Sequence, residues 1–151
     1  MQERVAQIVY TLTRFPNVQK VAFRMDGAPV TALGGEGLMI GTPQTRNDWE
    51  SMTPAILLES PLPRDQLGSP FQITGTANTF EATFQVSLVD SAGTSVYSNF
   101  VTATSGTGTR GTFSAPVAFS TPAAGPGVLK VYELSAEDGS EINVVTIAVV
   151  L

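Results

Sequence analysis

The feature that most constrains the fold is a two-residue alternation of apolar and polar side chains along residues 54–151. Phe71, Ile73 and Ala77 alternate with polar neighbours, and so do Phe84, Val86 and Leu88 further along. Such alternation is typical of strands buried on one face. Glycine- and proline-rich turns recur about every 8–12 residues, which predicts about seven short strands folded as an antiparallel β-sandwich.

The predicted strands leave little of this region outside the sandwich, and its turn spacing is that of immunoglobulin-like domains. We place strands at residues 55–58, 71–77, 80–89, 94–97, 100–104, 111–119, 128–134 and 142–151. The inward-facing positions predict a core made of Phe71, Ile73, Phe84, Val86, Leu88, Phe113, Val117, Leu129, Val131 and Ile147.

Residues 1–53 follow a different pattern of apolar residues, which predicts a helix, a hairpin and a linker. The spacing of apolar residues predicts a helix over 3–15 that ends before Pro16, and its apolar face comprises Val5, Ile8, Val9, Leu12 and Phe15. Asp26-Gly27 then predicts a tight hairpin within residues 18–32, followed by a linker with a short strand at 38–40. This much apolar surface needs cover, so we expect either a packed seam around Trp49 or a homodimer through residues 1–53.

Composition excludes several classes of function. The chain has no cysteine and no histidine, which removes disulfides, thiol nucleophiles, Ser-His-Asp schemes and the common transition-metal sites. Its net charge is −5 and its eight basic residues are scattered, so nucleic acid is not an expected partner. No catalytic, cofactor-binding or metal-binding residue is assigned, and we expect a protein that is not an enzyme.

Three acidic residues on predicted strands, Glu59, Glu81 and Glu133, are the candidates for acid–base chemistry. A pair of carboxylates can perform such chemistry when their surroundings separate their pKa values. We place all three opposite the apolar face, where a carboxylate is ordinarily solvated. A structural role is therefore favoured, and for Glu81 we expect that role to be accepting hydrogen bonds from backbone or hydroxyl groups at the sheet surface.

Two loops resemble ligand-binding segments. Residues 135–143 crowd acidic and amide oxygens into one hairpin, as a calcium loop does, but Asp138-Gly139 is equally what a tight turn requires. Residues 105–111 are rich in glycine and carry Arg110, yet they lack the phosphate-loop order and no helix follows them. We interpret both segments as connections between strands.

Aromatic residues offer the remaining candidate contacts. Trp49, Tyr97 and Tyr132 could stack on a sugar ring or meet a protein partner. For Trp49, burial between two packed units is the favoured alternative.

Residues 60–93, 109–119 and 129–151 resemble the immunoglobulin-like domain of bacterial spore germination, the Gmad2 family. The run GTANTFEATF and the later Glu-x-Ser-x-x-Asp-Gly-Ser pattern carry this resemblance. Residues 7–30, QIVYTLTRFPNVQKVAFRMDGAPV, resemble the closing part of a GerMN sporulation and germination domain, whose opening elements we do not find here. The predicted organisation is therefore a partial GerMN-like segment over 1–53 and a Gmad2 sandwich over 54–151.

The resemblance implies an extracytoplasmic protein of the bacterial envelope, commonly a lipoprotein or otherwise membrane-anchored. We expect its targeting segment to lie outside the sequence in hand. The implied role is structural or protein-binding, with other envelope proteins as partners. The alternative is a module that binds cell-wall glycan.

Overall fold

A computed structural model describes residues 1–35 and 37–151. The chain forms two compact units, Met1–Thr53 and Pro54–Leu151, each with a buried apolar cluster of its own. Within the described ranges, no helix combines the length and the apolar character that crossing a lipid bilayer requires.

Over its described residues, the first unit contains one α-helix, one 3₁₀ helix and four very short strands in two antiparallel pairs. Asp26 and Gly27 have φ values of 49° and 82°, as the tight two-residue turn predicted at this point requires. Its elements are α1 Gln2–Leu12, β1 Arg24–Met25, β2 Ala28–Pro29, β3 Ala32–Leu33, β4 Leu38–Met39 and a 3₁₀ helix Asn47–Met52.

The helix buries a narrower face than its sequence predicts. Val5 and Val9 are buried together with Ala6, whereas Ile8, Leu12 and Phe15 are 43%, 41% and 60% exposed. The helix ends at Leu12, three residues before the predicted end. Since Phe15 follows the last helical turn, it leaves the apolar stripe on which periodicity had placed it.

Trp49 belongs to the core of the first unit. Its side chain is 6% exposed, and it clusters with Val5, Ala6, Val9, Val21 and Ile40. The 3₁₀ helix and residues 21 and 40 thus supply apolar partners for the helix from within the unit. The homodimer through residues 1–53 stays a prediction.

Residues 54–151, all of them described, form seven strands in two antiparallel sheets. The strands are β5 Ile56–Ser60, β6 Phe71–Ala77, β7 Thr83–Val89, β8 Ser95–Thr102, β9 Gly111–Val117, β10 Pro126–Leu134 and β11 Glu141–Val150. One sheet has the order β5-β6-β9 and the other the order β11-β10-β7-β8, which confirms the predicted β-sandwich.

The sandwich core is largely the predicted one. Phe71 and Ile147 are half-buried at its margin, and the other eight predicted residues are buried. Phe84 and Phe113 come from opposite sheets and meet edge to face, with ring centroids 4.8 Å apart. The inward side chains of both sheets therefore interdigitate, as aligned sheet packing requires.

Two predicted strand boundaries were wrong. The sequence predicts separate strands over 94–97 and 100–104, yet one continuous strand, β8, spans Ser95–Thr102. The strand predicted over 80–89 begins only at Thr83, because Phe80–Ala82 form a turn. Phe80, which alternation placed inward, is 59% exposed.

Candidate functional site

The most unusual backbone of the sandwich is the connection between β6 and β7. We call residues 78–82 the Phe80 turn. Glu81 and Ala82 both adopt left-handed conformations, with φ values of 52° and 59°. Such a conformation costs a residue with a Cβ roughly 1–2 kcal/mol, so two in succession persist only where surrounding contacts enforce them.

Glu133, near the end of β10, supplies the first of these contacts. Its side chain is 7% exposed, and Oε1 accepts a hydrogen bond of 2.8 Å from the backbone N–H of Phe80. The other carboxylate oxygen accepts a hydrogen bond from the side-chain amide of Asn143. A buried carboxylate is stable only with such donors, so Glu133 joins the turn to β11.

Asn143 occupies this position because β11 is bulged. The β10–β11 register shifts between Val131 and Glu133, and Asn143 adopts a left-handed φ of 52°. Asparagine tolerates this conformation better than most residues. The bulge re-aims its amide towards the buried carboxylate, a common use of bulges near sites.

The loop between β8 and β9 holds the opposite side of the turn. The hydroxyl of Thr107 accepts the backbone N–H of Glu81 at 3.0 Å, and the backbone N–H of Thr107 donates to Thr79 O at 2.9 Å. Gly108 N–H donates to Asn78 Oδ1. Since these amides already bond the turn, residues 105–111 support it and do not form an open phosphate cradle.

Glycine at position 106 lets the two loops approach closely. A Cβ built there would lie 2.5 Å from Ala82 Cα and from Thr79 O. Any side chain would therefore push backbone against backbone. The close approach is the third restraint on the left-handed pair.

These restraints hold two exposed groups in a fixed geometry. Phe80 presents an apolar ring, and Glu81 beside it is exposed. Among the described residues, the Glu81 carboxylate has no hydrogen-bond or ion-pair partner, so the prediction that it accepts hydrogen bonds at the sheet surface was wrong. Because the backbone is already ordered, binding at the turn loses little conformational entropy. The arrangement suits recognition of a surface that offers an apolar pocket and a cation.

The predicted strand acids divide into three cases. Glu81 lies on the turn and not on a strand, and Glu59 is half-buried on β5. The prediction of a solvated Glu133 was wrong. The sequence did contain a sign of its burial. Leu129, Val131 and Glu133 are spaced two residues apart, so all three lie on the same inward face of β10.

Several polar side chains of the hairpin 135–143 already have partners within the protein. Asp138 Oδ1 accepts the backbone N–H and the hydroxyl of Ser140, and these bonds, the backbone one foremost, lower the pKa of Asp138. Glu141 pairs with Lys130 at 2.7 Å. Across the described residues, no three acidic side chains converge as a metal site would require.

The three predicted contact aromatics lie in different environments. Trp49 is in the core of the first unit, as described above. Tyr97 opposes the buried Leu88 and packs against the sandwich core, whereas Tyr132 opposes Gln85 on the outer face of the same sheet. Their contact roles stay predictions, and the structure does not unite them on one surface.

Tyr132 does have an aromatic companion that the sequence did not single out. Gln85 of β7 lies opposite both Tyr132 of β10 and Phe100 of β8, so the three form one row across the outer face. Phe100 is 61% exposed, and Lys130 Nζ lies 4.5 Å from the centroid of the Tyr132 ring. Tyr132 and Phe100 stand two strands apart, which separates their backbones by about 10 Å.

Comparison with known proteins agrees with this architecture. Residues 55–140 match the model of the Gmad2 family, described as the immunoglobulin-like domain of bacterial spore germination. Residues 1–31 match a second family, Germane, described as sporulation and spore germination. No curated protein and no solved structure matches the chain. Since the first match covers more than half of the sequence, the chain belongs to the Gmad2 family of immunoglobulin-like domains of bacterial spore germination.

Proposed function

We propose that this chain is a non-catalytic recognition module of the bacterial cell envelope that acts outside the cytoplasm and binds another envelope protein through the Phe80 turn. The family description supports a link to sporulation or germination. The lack of histidine and cysteine supports a role without catalysis, because it removes the commonest nucleophile–base pairs.

The observation that carries the proposal is the clamped left-handed pair Glu81-Ala82 beneath an exposed Phe80. A phenylalanine that is 59% exposed gives up the roughly 1.5–3 kcal/mol that burial of its side chain would gain. The molecule also holds a strained backbone to present it. Both costs are recovered if the ring is buried in a partner, where aromatic anchors carry much of the binding energy.

Site-specific crosslinking tests this reading. A photoreactive amino acid at position 80, introduced in the native bacterium, should crosslink to a discrete protein partner. Position 100 is the matched control, because Phe100 has nearly the same exposure on a different surface. Glu81→Gln should weaken the crosslink at position 80. Equal crosslinking at positions 80 and 100, unaffected by Glu81→Gln, would refute a specific role for the turn.

The location can be tested with the full-length protein in its native bacterium. Because residues 1–151 contain no cysteine, Ser98→Cys adds a thiol on an exposed part of β8 that the wild-type chain lacks. A membrane-impermeant maleimide should label this thiol in intact cells. Labelling only after lysis would contradict an extracytoplasmic location.

Glycan binding is the second candidate, and the row Tyr132–Gln85–Phe100 favours it. Aromatic faces flanking an amide are suited to stacking on sugar rings while bonding their hydroxyls. Purified cell wall should then retain the protein saturably, and Phe100→Ala should abolish retention while Phe80→Ala leaves it intact. The reverse pattern would count against the glycan surface and in favour of the turn.

A homodimer through residues 1–53 is also proposed. Ile8 and Leu12 remain exposed one helical turn apart on α1 of the first unit. Light scattering over a concentration series should show a dimer that Leu12→Glu dissociates, with Thr11→Glu as the control on the polar side. A monomer at every concentration would refute this assembly.

A further inference from the structure

The first unit contains a groove that the proposed function does not use. It holds about 360 Å³ and is lined by the segment after α1 and by residues 45–47, which lead into the 3₁₀ helix. Arg46 is the one charged residue among those that line it, and its side chain is half-buried. The size is at the lower end of the range for small-molecule sites.

Arg46 is held in place from two directions. Nε–H donates to the hydroxyl of Thr13 at 2.9 Å, and one Nη2–H donates to Tyr10 O at 3.2 Å. The guanidinium also lies over the Tyr10 ring, 4.9 Å from its centroid. The side chain has therefore lost most of its rotamer freedom before any ligand arrives, which favours binding.

The contacts of Arg46 leave its charge unneutralised. All its partners are neutral, and within the described part of the chain no carboxylate pairs with it. Asp48, two residues on, is directed to Thr45, whose N–H and hydroxyl it accepts at 2.7 and 2.8 Å. Both Nη1 protons and one Nη2 proton remain for a ligand, and this fork matches the two oxygens of a carboxylate.

The wall beside Arg46 is apolar. Phe15, Pro16 and Val18 line the groove, and Phe15 is 60% exposed. Gln19 and Asn47 add amide groups at the margin. A ligand that places an anion on Arg46 can thus rest an apolar group against the wall, whereas a bare ion cannot use it.

We propose that the Arg46 groove is a binding site for a carboxylate attached to an apolar group, such as the C-terminal residue of a peptide that ends in a large hydrophobic side chain. The charge balance of the chain agrees with an anionic ligand at this unit. Residues 1–53 carry five basic and five acidic side chains, so the whole net charge of −5 belongs to residues 54–151.

The test compares N-acetyl-phenylalanine with its C-terminal amide, which differ only in the carboxylate. Titration of the full ¹⁵N-labelled chain should give a dissociation constant of about a millimolar for the acid, as expected for so small a ligand. Amide signals of Thr45 and Asn47 and the Nε–H signal of Arg46 should shift. The amide compound should bind at least tenfold more weakly, and so should acetate, which lacks the apolar group.

Two variants locate the site. Arg46→Gln removes the charge and should weaken binding at least tenfold. Because this change also disturbs the contacts to Thr13 and Tyr10, Gln19→Glu is the second variant, placing a negative charge at the margin without removing any bond of Arg46. Gln7→Glu, on the exposed face of α1, makes the same chemical change elsewhere and should leave affinity unchanged.

Selective binding of the acid that both groove variants abolish would support the proposal. Equal affinity for the acid and its amide, or for N-acetyl-phenylalanine and inorganic phosphate, would overturn it. So would binding that is unchanged by Gln19→Glu.

Discussion

Replacing Glu133 with alanine tests how the Phe80 turn is held. The substitution removes both acceptors from a buried position, leaving the Phe80 N–H and the Asn143 amide without the carboxylate that bonds them. Glu133 accepts two hydrogen bonds, and each bond to a charged group contributes about 1.5–3 kcal/mol. We therefore expect the free energy of unfolding of residues 54–151 to fall by about 3–5 kcal/mol.

The measurement is urea unfolding followed by far-ultraviolet circular dichroism, which reports the strands. Trp49 fluorescence, recorded on the same samples, reports the unfolding of the first unit. The substitution should change the urea midpoint of this fluorescence signal little. For a domain of this size, 1 kcal/mol corresponds to about 4–8 °C in Tm, so the loss should lower the Tm of the sandwich by at least about 12 °C.

Two further variants separate burial from the hydrogen bonds. Glu133→Gln keeps the side-chain volume and one acceptor oxygen. Its free energy of unfolding should therefore lie between that of the wild type and that of Glu133→Ala. Glu137→Ala, in the exposed hairpin, should change the free energy of unfolding by no more than about 0.5 kcal/mol. If Glu133→Ala costs no more than Glu137→Ala, the carboxylate does not hold the turn, and the reasoning fails.

Three other perturbations examine the same sandwich. Phe84→Ala should cost about 3–5 kcal/mol, because the residue is fully enclosed and edge-on to another ring; a Tm within one degree of wild type would exclude it from the core. Gly106→Ala should destabilise the sandwich through backbone overlap, whereas Gly68→Ala, with no neighbour near its Cβ, should be nearly neutral; equal effects would contradict the close approach. Hydrogen bonds lower the pKa of Asp90, and the largest contribution comes from the Thr121 hydroxyl. The ionised Asp90 therefore stabilises the fold fully above about pH 3.9, and this stabilisation is lost as pH falls through the folded-state pKa. Thr121→Val should therefore move the acid-unfolding midpoint to higher pH, and an unchanged midpoint would refute this link.

The alternation of side chains was sufficient to predict the sandwich and most of its core. Residues such as Ile73, Val86 and Leu129 lie on the inner faces because a strand's period of two assigns them there in any register that buries one face. The Asp26-Gly27 turn was likewise predictable, since both residues tolerate positive φ. These features depend on local backbone geometry, which the sequence encodes directly.

The candidate site was not predictable in the same way. Nothing in the local preferences of Glu81 and Ala82 favours a left-handed backbone, and alternation extended the strand through them to Phe80. Their conformation depends on Glu133, more than fifty residues away, and on the space left by Gly106. A local pattern cannot report contacts of that range.

The first unit shows the same division. The helical spacing predicted α1, but it could not tell which part of the apolar stripe would be covered. That depended on where Trp49 and Ile40 packed against the helix, which left Ile8 exposed and Val9 buried. Periodicity determines which side chains share a face, whereas burial also requires partners of the right shape, and only the tertiary structure supplies them.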